Sequence, residues 1–214
     1  MKNLVRHIAV QEFTEVKFGE VKLLIEPQVY KPREDSFLLA AAVEKFASGN
    51  VLDMGTGSGI QAIVAAKKKE VMQVTAVDAS ENALKCAEAN AVSNKVKEKI
   101  NFICSNLFEN VDGIFDTVIF NPPYVPVEPE EKLDAESMAW HGGKDGRSVL
   151  EPFLDTFSPF VSPGGQLLLL QSSLNDLEKT ERKLKALKFS TEVISTEAFF
   201  FEKIHVLRAL KLKL

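Results

Sequence analysis

Val51-Leu52-Asp53-Met54-Gly55-Thr56-Gly57-Ser58-Gly59 decides the fold. A short apolar run ending in an acid, then glycines at alternate positions, reads as a buried strand, Val51 to Met54, entering a tight turn. The turn opens a helix from Gly59 to Lys68. Glycines there permit positive φ and let a ligand approach the backbone, and the helix amides behind them can bind an anion or polar group. The spacing is G-x-G-x-G, not the G-x-G-x-x-G of dinucleotide sites, so a pyrophosphate cofactor is disfavoured. The Asp53 carboxylate would repel a diphosphate and welcome an ammonium group, as on an amino-acid-bearing cofactor. The plainer alternative is a glycine-rich turn with no ligand.

Working outward, strands and helices alternate. Strands are predicted at Val74–Asp78, Ile100–Cys104, Phe115–Phe120 and Gln166–Leu170, and helices at Ser80–Ser93, Ser148–Phe157 and Leu174–Leu187. Ser190–Phe199 and Phe201–Leu212 read as a closing antiparallel pair, and Pro163-Gly164-Gly165-Gln166 as a turn entering a strand. Upstream, Phe13 to Ile25 alternates as a hairpin turning at Gly19-Glu20. A helix over Glu34–Phe46 then carries Phe37, Leu38, Ala41, Ala42 and Phe46 on one face. Strands separated by helices imply crossover connections. The expected fold is a doubly wound α/β domain with a mostly parallel seven-stranded sheet, a C-terminal antiparallel strand, and an N-terminal hairpin and helix.

The whole chain sets bounds on function. It has 214 residues, 45% hydrophobic and 26% charged, with a net charge of −4, which argues against a protein whose main task is gripping nucleic-acid backbone. No run approaches a membrane span and the N-terminus lacks a signal-peptide pattern, so a cytoplasmic location is expected. Cys86 and Cys104 cannot build a disulfide framework or a zinc site by themselves, and both read as buried thiols. His7, His141 and His205 are scattered without metal-ligand spacing, so no metal is expected.

Three further positions fall at the carboxyl ends of strands, where open α/β sheets bind ligands. Asp78 can accept from both hydroxyls of a ribose, with Ser80 left to cap the following helix. Ser105-Asn106-Leu107 falls where an adenine edge would lie. Asn121-Pro122-Pro123-Tyr124 follows an apolar strand. Asn presents a carboxamide, two prolines fix φ and remove donors, and Tyr can lie flat against a planar group. This is a device for holding a planar, neutral NH2; by itself it also reads as a plain strand-to-loop turn.

Together, Val29-Tyr30-Lys31-Pro32-Arg33-Glu34-Asp35-Ser36-Phe37, the glycine turn, the Asn-Pro-Pro-Tyr segment and Trp140-His141-Gly142-Gly143-Lys144-Asp145-Gly146-Arg147 resemble a known pattern. Across nearly the entire chain they look like class I S-adenosylmethionine-dependent methyltransferases, and among them the HemK-type release-factor glutamine methyltransferases of the archaeal and eukaryotic branch. The resemblance implies residues 1–47 as an extension forming one compact unit with a methyltransferase domain at 48–214. It implies S-adenosylmethionine as cofactor, with Asp53, Gly55 and Gly57 lining its methionine moiety and Asp78 holding the ribose. Asn106 and Leu107 would border the adenine, and Ser36 and Asn121 would also touch the cofactor. The family usually has Asp where this chain has Asn106. Asn121 and Pro122 would accept the two N–H groups of an acceptor amide, with Pro123 and Tyr124 completing the substrate wall and Tyr124 against its plane.

The implied substrate is the Gly-Gly-Gln glutamine of a class I release factor. The rival readings are an amino-methyltransferase acting on a nucleic-acid base, which presents the same planar NH2, and a cofactor-binding scaffold without activity. The likeness of Gly164-Gly165-Gln166 to the release-factor motif is read as coincidence, and the loop from Val125 to Gly146 is expected to help select the substrate. Ile100–Cys104 is expected at a sheet edge, apolar on both faces, where another chain can pair; the branch resembled uses a small zinc-binding activator subunit.

Overall fold

The computed structural model describes residues 13–126 and 140–213. His7 and most of the Val125–Gly146 segment lie outside them. The hairpin is present as β1 (Thr14–Phe18) and β2 (Val21–Ile25), turning at Gly19-Glu20. Helix α1 (Glu34–Phe46) follows. The main sheet uses β3 (Gly49–Met54), β4 (Val71–Asp78), β5 (Ile100–Cys104), β6 (Phe115–Phe120), β7 (Val161–Ser172), β8 (Phe189–Ala198) and β9 (Lys203–Lys211). Between them run α2 (Ile60–Ala66), α3 (Glu81–Ser93), α4 (Leu150–Thr156) and α5 (Leu177–Ala186).

Strand order is β5-β4-β3-β6-β7-β9-β8. Pairings from β5 through β7 are parallel, and β9 runs antiparallel to both β7 and β8. This is the doubly wound sheet expected, with the last strand inserted beside β7.

Alternate residues of each strand feed two cores. Val51, Ile119, Leu168 and Val206 face the side covered by α1, α2 and α3, together with the hairpin. Leu52, Val118, Leu167 and Leu207 face the side covered by α4 and α5. The second core holds a run of phenylalanines: Phe120 meets Phe153 at 4.3 Å between centroids, Phe153 meets Phe157 at 5.2 Å, and Phe157 meets Phe189 at 5.1 Å. Such pairs contribute roughly 0.5–1.5 kcal/mol each beyond their burial. They clamp Phe120, the residue before Asn121, so the strand end is rigid where the loop leaves it.

Three local expectations are corrected. Ala41 is exposed, and the buried stripe of α1 is Asp35, Ser36, Leu39, Ala40, Ala42 and Val43. Apolarity alone misplaces that face, because two of its members are polar. Cys104 is exposed rather than buried, since it ends the edge strand where only β4 covers one side. Pro163-Gly164-Gly165 lies within β7, whose start pairs with Phe115 through an irregular register, instead of forming a turn before it.

The glycine turn is held by Asp53. Its carboxylate, 1% exposed, accepts from the Thr56 hydroxyl at 2.7 Å and the Ala62 amide at 3.0 Å through the same Oδ2. Strand, turn and helix are thereby tied at one atom. Gly59 caps α2 with φ +86°, and a Cβ there would meet Ala87 Cβ at 3.0 Å, so glycine also permits α2 and α3 to pack closely.

Burial pushes the Asp53 carboxyl up to about 7, against the lowering effect of its hydrogen bonds from Thr56 and Ala62. In the unfolded chain it ionises near pH 3.9. The folded state therefore holds an extra proton between those values, and the stability this gives, complete below about pH 4, is lost as pH rises through about 7. Asp53→Asn is expected to gain on the wild type in melting temperature between pH 5 and pH 8. The gain should reach several degrees, since about 1.4 kcal/mol rides on each pH unit and 1 kcal/mol shifts a chain this size by roughly 2–4 °C. Calorimetry of both proteins across that range checks this, and a pH-independent difference would refute it.

Candidate active site

Parallel register brings the predicted residues together. Met54 pairs with Val77 on one side and with Phe120 on the other. The next residues in the three strands are Gly55, Asp78 and Asn121, which therefore leave the sheet side by side. A cavity of about 490 Å³ opens at this end, within the roughly 300–1,000 Å³ typical of small-molecule sites. Ser36, Gly55, Gly57, Asp78, Asn106, Leu107, Asn121, Pro122, Pro123 and Tyr124 all line it.

Asp53 does not line the cavity. Its carboxylate is buried behind the glycine turn, where it accepts from Thr56 and Ala62 and so holds the shape of the turn that does line the cavity. Asp78 does line it, but is not wholly freed by Ser80. The Ser80 hydroxyl caps α3 by accepting from the Ala83 amide at 3.3 Å, while Asp78 accepts from the Gly57 amide at 2.9 Å and the Ser80 amide at 2.9 Å. Each carboxylate oxygen keeps lone-pair capacity for a further donor. Burial raises the Asp78 carboxyl above its ordinary value.

Asn106 donates its side-chain amide to Glu109 at 2.7 Å, which leaves its oxygen as the free polar atom. Leu107 has φ +47°, a left-handed conformation that costs a branched residue about 1 kcal/mol or more. Ser105 stabilises it by donating to the Leu107 carbonyl at 2.9 Å while accepting from the Asn110 amide at 2.9 Å. The result is an apolar side chain beside a carboxamide oxygen, suited to one edge and one face of a heteroaromatic ring.

The other half of the cavity is organised by Asp35, a residue to which sequence reasoning assigned no role. Its carboxylate, 5% exposed, accepts from the Tyr30 hydroxyl at 3.1 Å, the Ser36 amide at 2.6 Å, the Tyr124 hydroxyl at 3.4 Å and the Asn121 carboxamide at 3.3 Å. Burial first, and the Asp35 charge second, push both tyrosine hydroxyls well above their usual range, so they remain donors. The Asn121 contact fixes the orientation of its amide: Nδ2 faces Asp35 and Oδ1 faces the other way. That oxygen is buried without a partner. An unmet buried acceptor costs about 1–3 kcal/mol, so this position calls for an N–H or O–H from something that enters the cavity.

Asp35 was legible only as part of Glu34-Asp35 at a helix start, where acids ordinarily answer the helix dipole. Nothing local distinguishes the exposed Glu34 from the buried Asp35. Asn175 was missed as well. Its side chain donates to the Tyr124 carbonyl at 2.9 Å and the Asp145 carbonyl at 3.2 Å, and Gly142 donates to Val125, so the Trp140–Arg147 segment is laced to Asn-Pro-Pro-Tyr. Arg147, buried, anchors that segment by donating to the Asn175 carbonyl, the Asp176 carbonyl at 3.1 Å and Thr180 at 2.9 Å. His141 pairs with Val125 in this lacing.

Comparison with known proteins places this geometry. Residues 20–200 match the family described as methyltransferase small domain. A Methanocaldococcus jannaschii protein that carries the name protein N5-glutamine methyltransferase is 40% identical over 92% of this chain and 99% of its own length. The release factor glutamine methyltransferase of Deinococcus radiodurans is 33% identical over 76% of this chain; there the chain spans only 61% of the relative. Among solved structures, the E. cuniculi Mtq2–Trm112 complex, responsible for methylation of the eRF1 termination factor, aligns with a TM-score of 0.66 at 25% identity, covering 86% of this chain and 99% of its counterpart. With most of its length matched and this sheet, glycine turn and cavity in place, the chain belongs to the methyltransferase small domain family.

Proposed function

We propose that the protein transfers a methyl group from S-adenosylmethionine to the side-chain amide nitrogen of a protein glutamine, that of the Gly-Gly-Gln motif of a class I release factor. The observation that carries this reading is the buried, partnerless Asn121 Oδ1 beside Pro122 in a cavity that also offers Asp78. The relatives named above act on glutamine by name, and the eRF1-methylating enzyme shares the fold over nearly its entire length.

The residues present fit the cofactor. Asp78 would hold the ribose hydroxyls, Gly55 and Gly57 would admit the methionine end close to the backbone, and Asn106 and Leu107 would border the adenine. Ser36, at the start of α1, would touch the cofactor from the N-terminal segment. When bound, the cofactor supplies an electrophilic methyl on a positively charged sulfur.

An amide nitrogen is a weak nucleophile because its lone pair is delocalised into the carbonyl. The chain's contribution is positioning. Asn121 Oδ1 and the Pro122 carbonyl accept the two N–H hydrogens of the acceptor, so the nitrogen is oriented and the positive charge that grows on it meets two oxygen dipoles. Tyr124, whose hydroxyl is held by Asp35, presents its ring to the acceptor plane. Asp35 acts through Asn121: by taking its Nδ2 it keeps Oδ1 turned to the acceptor. No base is needed before transfer; the proton leaves afterwards.

A partner follows from the sheet edge. Among the described residues β5 pairs only with β4, and its Phe102 and Ile103 are half-buried. A small activator subunit pairing there is proposed, by likeness to the E. cuniculi protein in complex with Trm112. A cytoplasmic setting fits a translation-factor substrate, and no described helix is long and apolar enough to cross a membrane.

Labelled cofactor incubated with purified release factor, with its Gln→Ala variant and with nucleic acid should label the first alone; labelling of nucleic acid instead would favour the base-methylating reading. Asn121→Ala is expected to lower kcat at least 10²–10³-fold while calorimetric cofactor binding stays within a small factor. Asp35→Ala, which loosens the Asn121 orientation, should cost about 10²-fold in kcat; undiminished turnover would remove Asp35 from this role. For the partner, the isolated chain should be poorly soluble or weakly active until a small zinc-binding subunit is co-expressed. A monodisperse, fully active chain alone would end that proposal.

A further inference from the structure

The β8–β9 hairpin ends in Phe199-Phe200-Phe201-Glu202, and the rings of Phe200 and Phe201 are 94% and 85% exposed. They meet edge to face with centroids 4.7 Å apart, a two-ring apolar platform turned to solvent. Leu174, half-exposed, is on the adjoining turn. Single exposed apolar residues are ordinary, but adjacent unburied aromatics mark an interaction surface.

The tip is a fixed feature. The Phe199 amide donates to the Glu202 carbonyl at 2.8 Å, closing the turn. The Ser172 hydroxyl donates to the Glu202 carboxylate, and the Lys203 amide donates to the Ser173 hydroxyl at 3.0 Å. The platform is thus pinned to the carboxyl end of β7 by polar contacts, leaving the rings free. The same turn carries Asn175, which donates to the Tyr124 carbonyl. The Glu202 charge is also among the groups that keep the Tyr124 hydroxyl protonated. Phe200 and Phe201 therefore stand beside the acceptor side of the cavity, at the same end of the sheet as Asn121.

We propose that Phe200, Phe201 and Leu174 form a docking platform for the folded protein that carries the acceptor glutamine, gripping it outside the glutamine's own loop. The inference rests on the protein-glutamine reading of the cavity. A poor nucleophile gains most from substrate contacts remote from the reacting atoms, which supply binding energy that holds the amide in place. Buried aromatics are the residues that dominate such interfaces. The platform fits a protein better than a nucleic acid: Glu197 and Glu202 flank it and Lys203 is the single cation from 197 to 203, whereas base-stacking platforms come with positive charge for phosphates.

The test compares wild type with Phe200→Ser/Phe201→Ser on full-length release factor, on a short peptide spanning its Gly-Gly-Gln loop, and on bulk tRNA. Because both rings are exposed, the melting temperature should not change. The expected result is a rise of about tenfold or more in KM for the full-length factor, with kcat and the peptide kinetics unaltered. Unchanged kcat/KM on the full-length factor overturns the platform, as does an equal loss on the peptide, which would make the tip part of the cavity. A loss confined to tRNA would reassign the surface to nucleic acid and overturn it too. Absence of transfer to the factor by wild type itself would overturn the functional reading, and the platform's partner with it.

Discussion

The site depends on one constraint, the parallel register that ends β4, β3 and β6 at a common level. Parallel ladders space their hydrogen bonds evenly, so once Met54 lies opposite Val77 and Phe120, the residues that follow have no freedom to stagger. Gly55, Asp78 and Asn121 emerge together because their predecessors are packed, not because they contact one another. A one-residue slip in β6 would send Val118 and Phe120 to the face of α1 and α2 and move Asn121 out of line. Thus the phenylalanine layer under α4, remote from any polar chemistry, holds the acceptor side in alignment.

Much of this was legible in the chain itself. The alternation of apolar runs with helical stretches is a strong pattern, and α1, β5 and β6 begin and end where the pattern says. The site residues at strand ends were legible because function there needs unusual residue types, such as glycines at positive φ and prolines in succession. What escaped was whatever depends on distant neighbours. Asp53 sits in an apolar strand and Asp35 between Glu34 and Ser36, and the fold alone shows that Asp35 faces the cavity among hydroxyls while Asp53 lies behind it under Thr56 and Ala62. Likewise Cys104 belongs to an apolar strand expected at the sheet edge, but whether its own side chain is covered there depends on distant neighbours, and it is exposed.

The two carboxylates divide the labour of the cavity. Asp53 stabilises the shape of the glycine turn at the cost of being buried, and its raised affinity for a proton records that cost. Asp35 gathers donors from α1 and from the Asn-Pro-Pro-Tyr segment, so its charge is spread over several hydrogen bonds rather than one partner. Neither does chemistry by itself. Each converts the conformation of a neighbouring segment into a defined direction for a polar atom.

The contacts at Asp35 join residues 86 and 89 positions away, Asn121 and Tyr124. Between them the chain builds four strands and two helices of the sheet domain. No fragment shorter than that loop can assemble the wall, so whatever fills the cavity reports on the closure of the entire first half of the protein. Occupancy then acts as a long-range tether: its free energy adds to global rather than local stability, rising with ligand concentration by mass action.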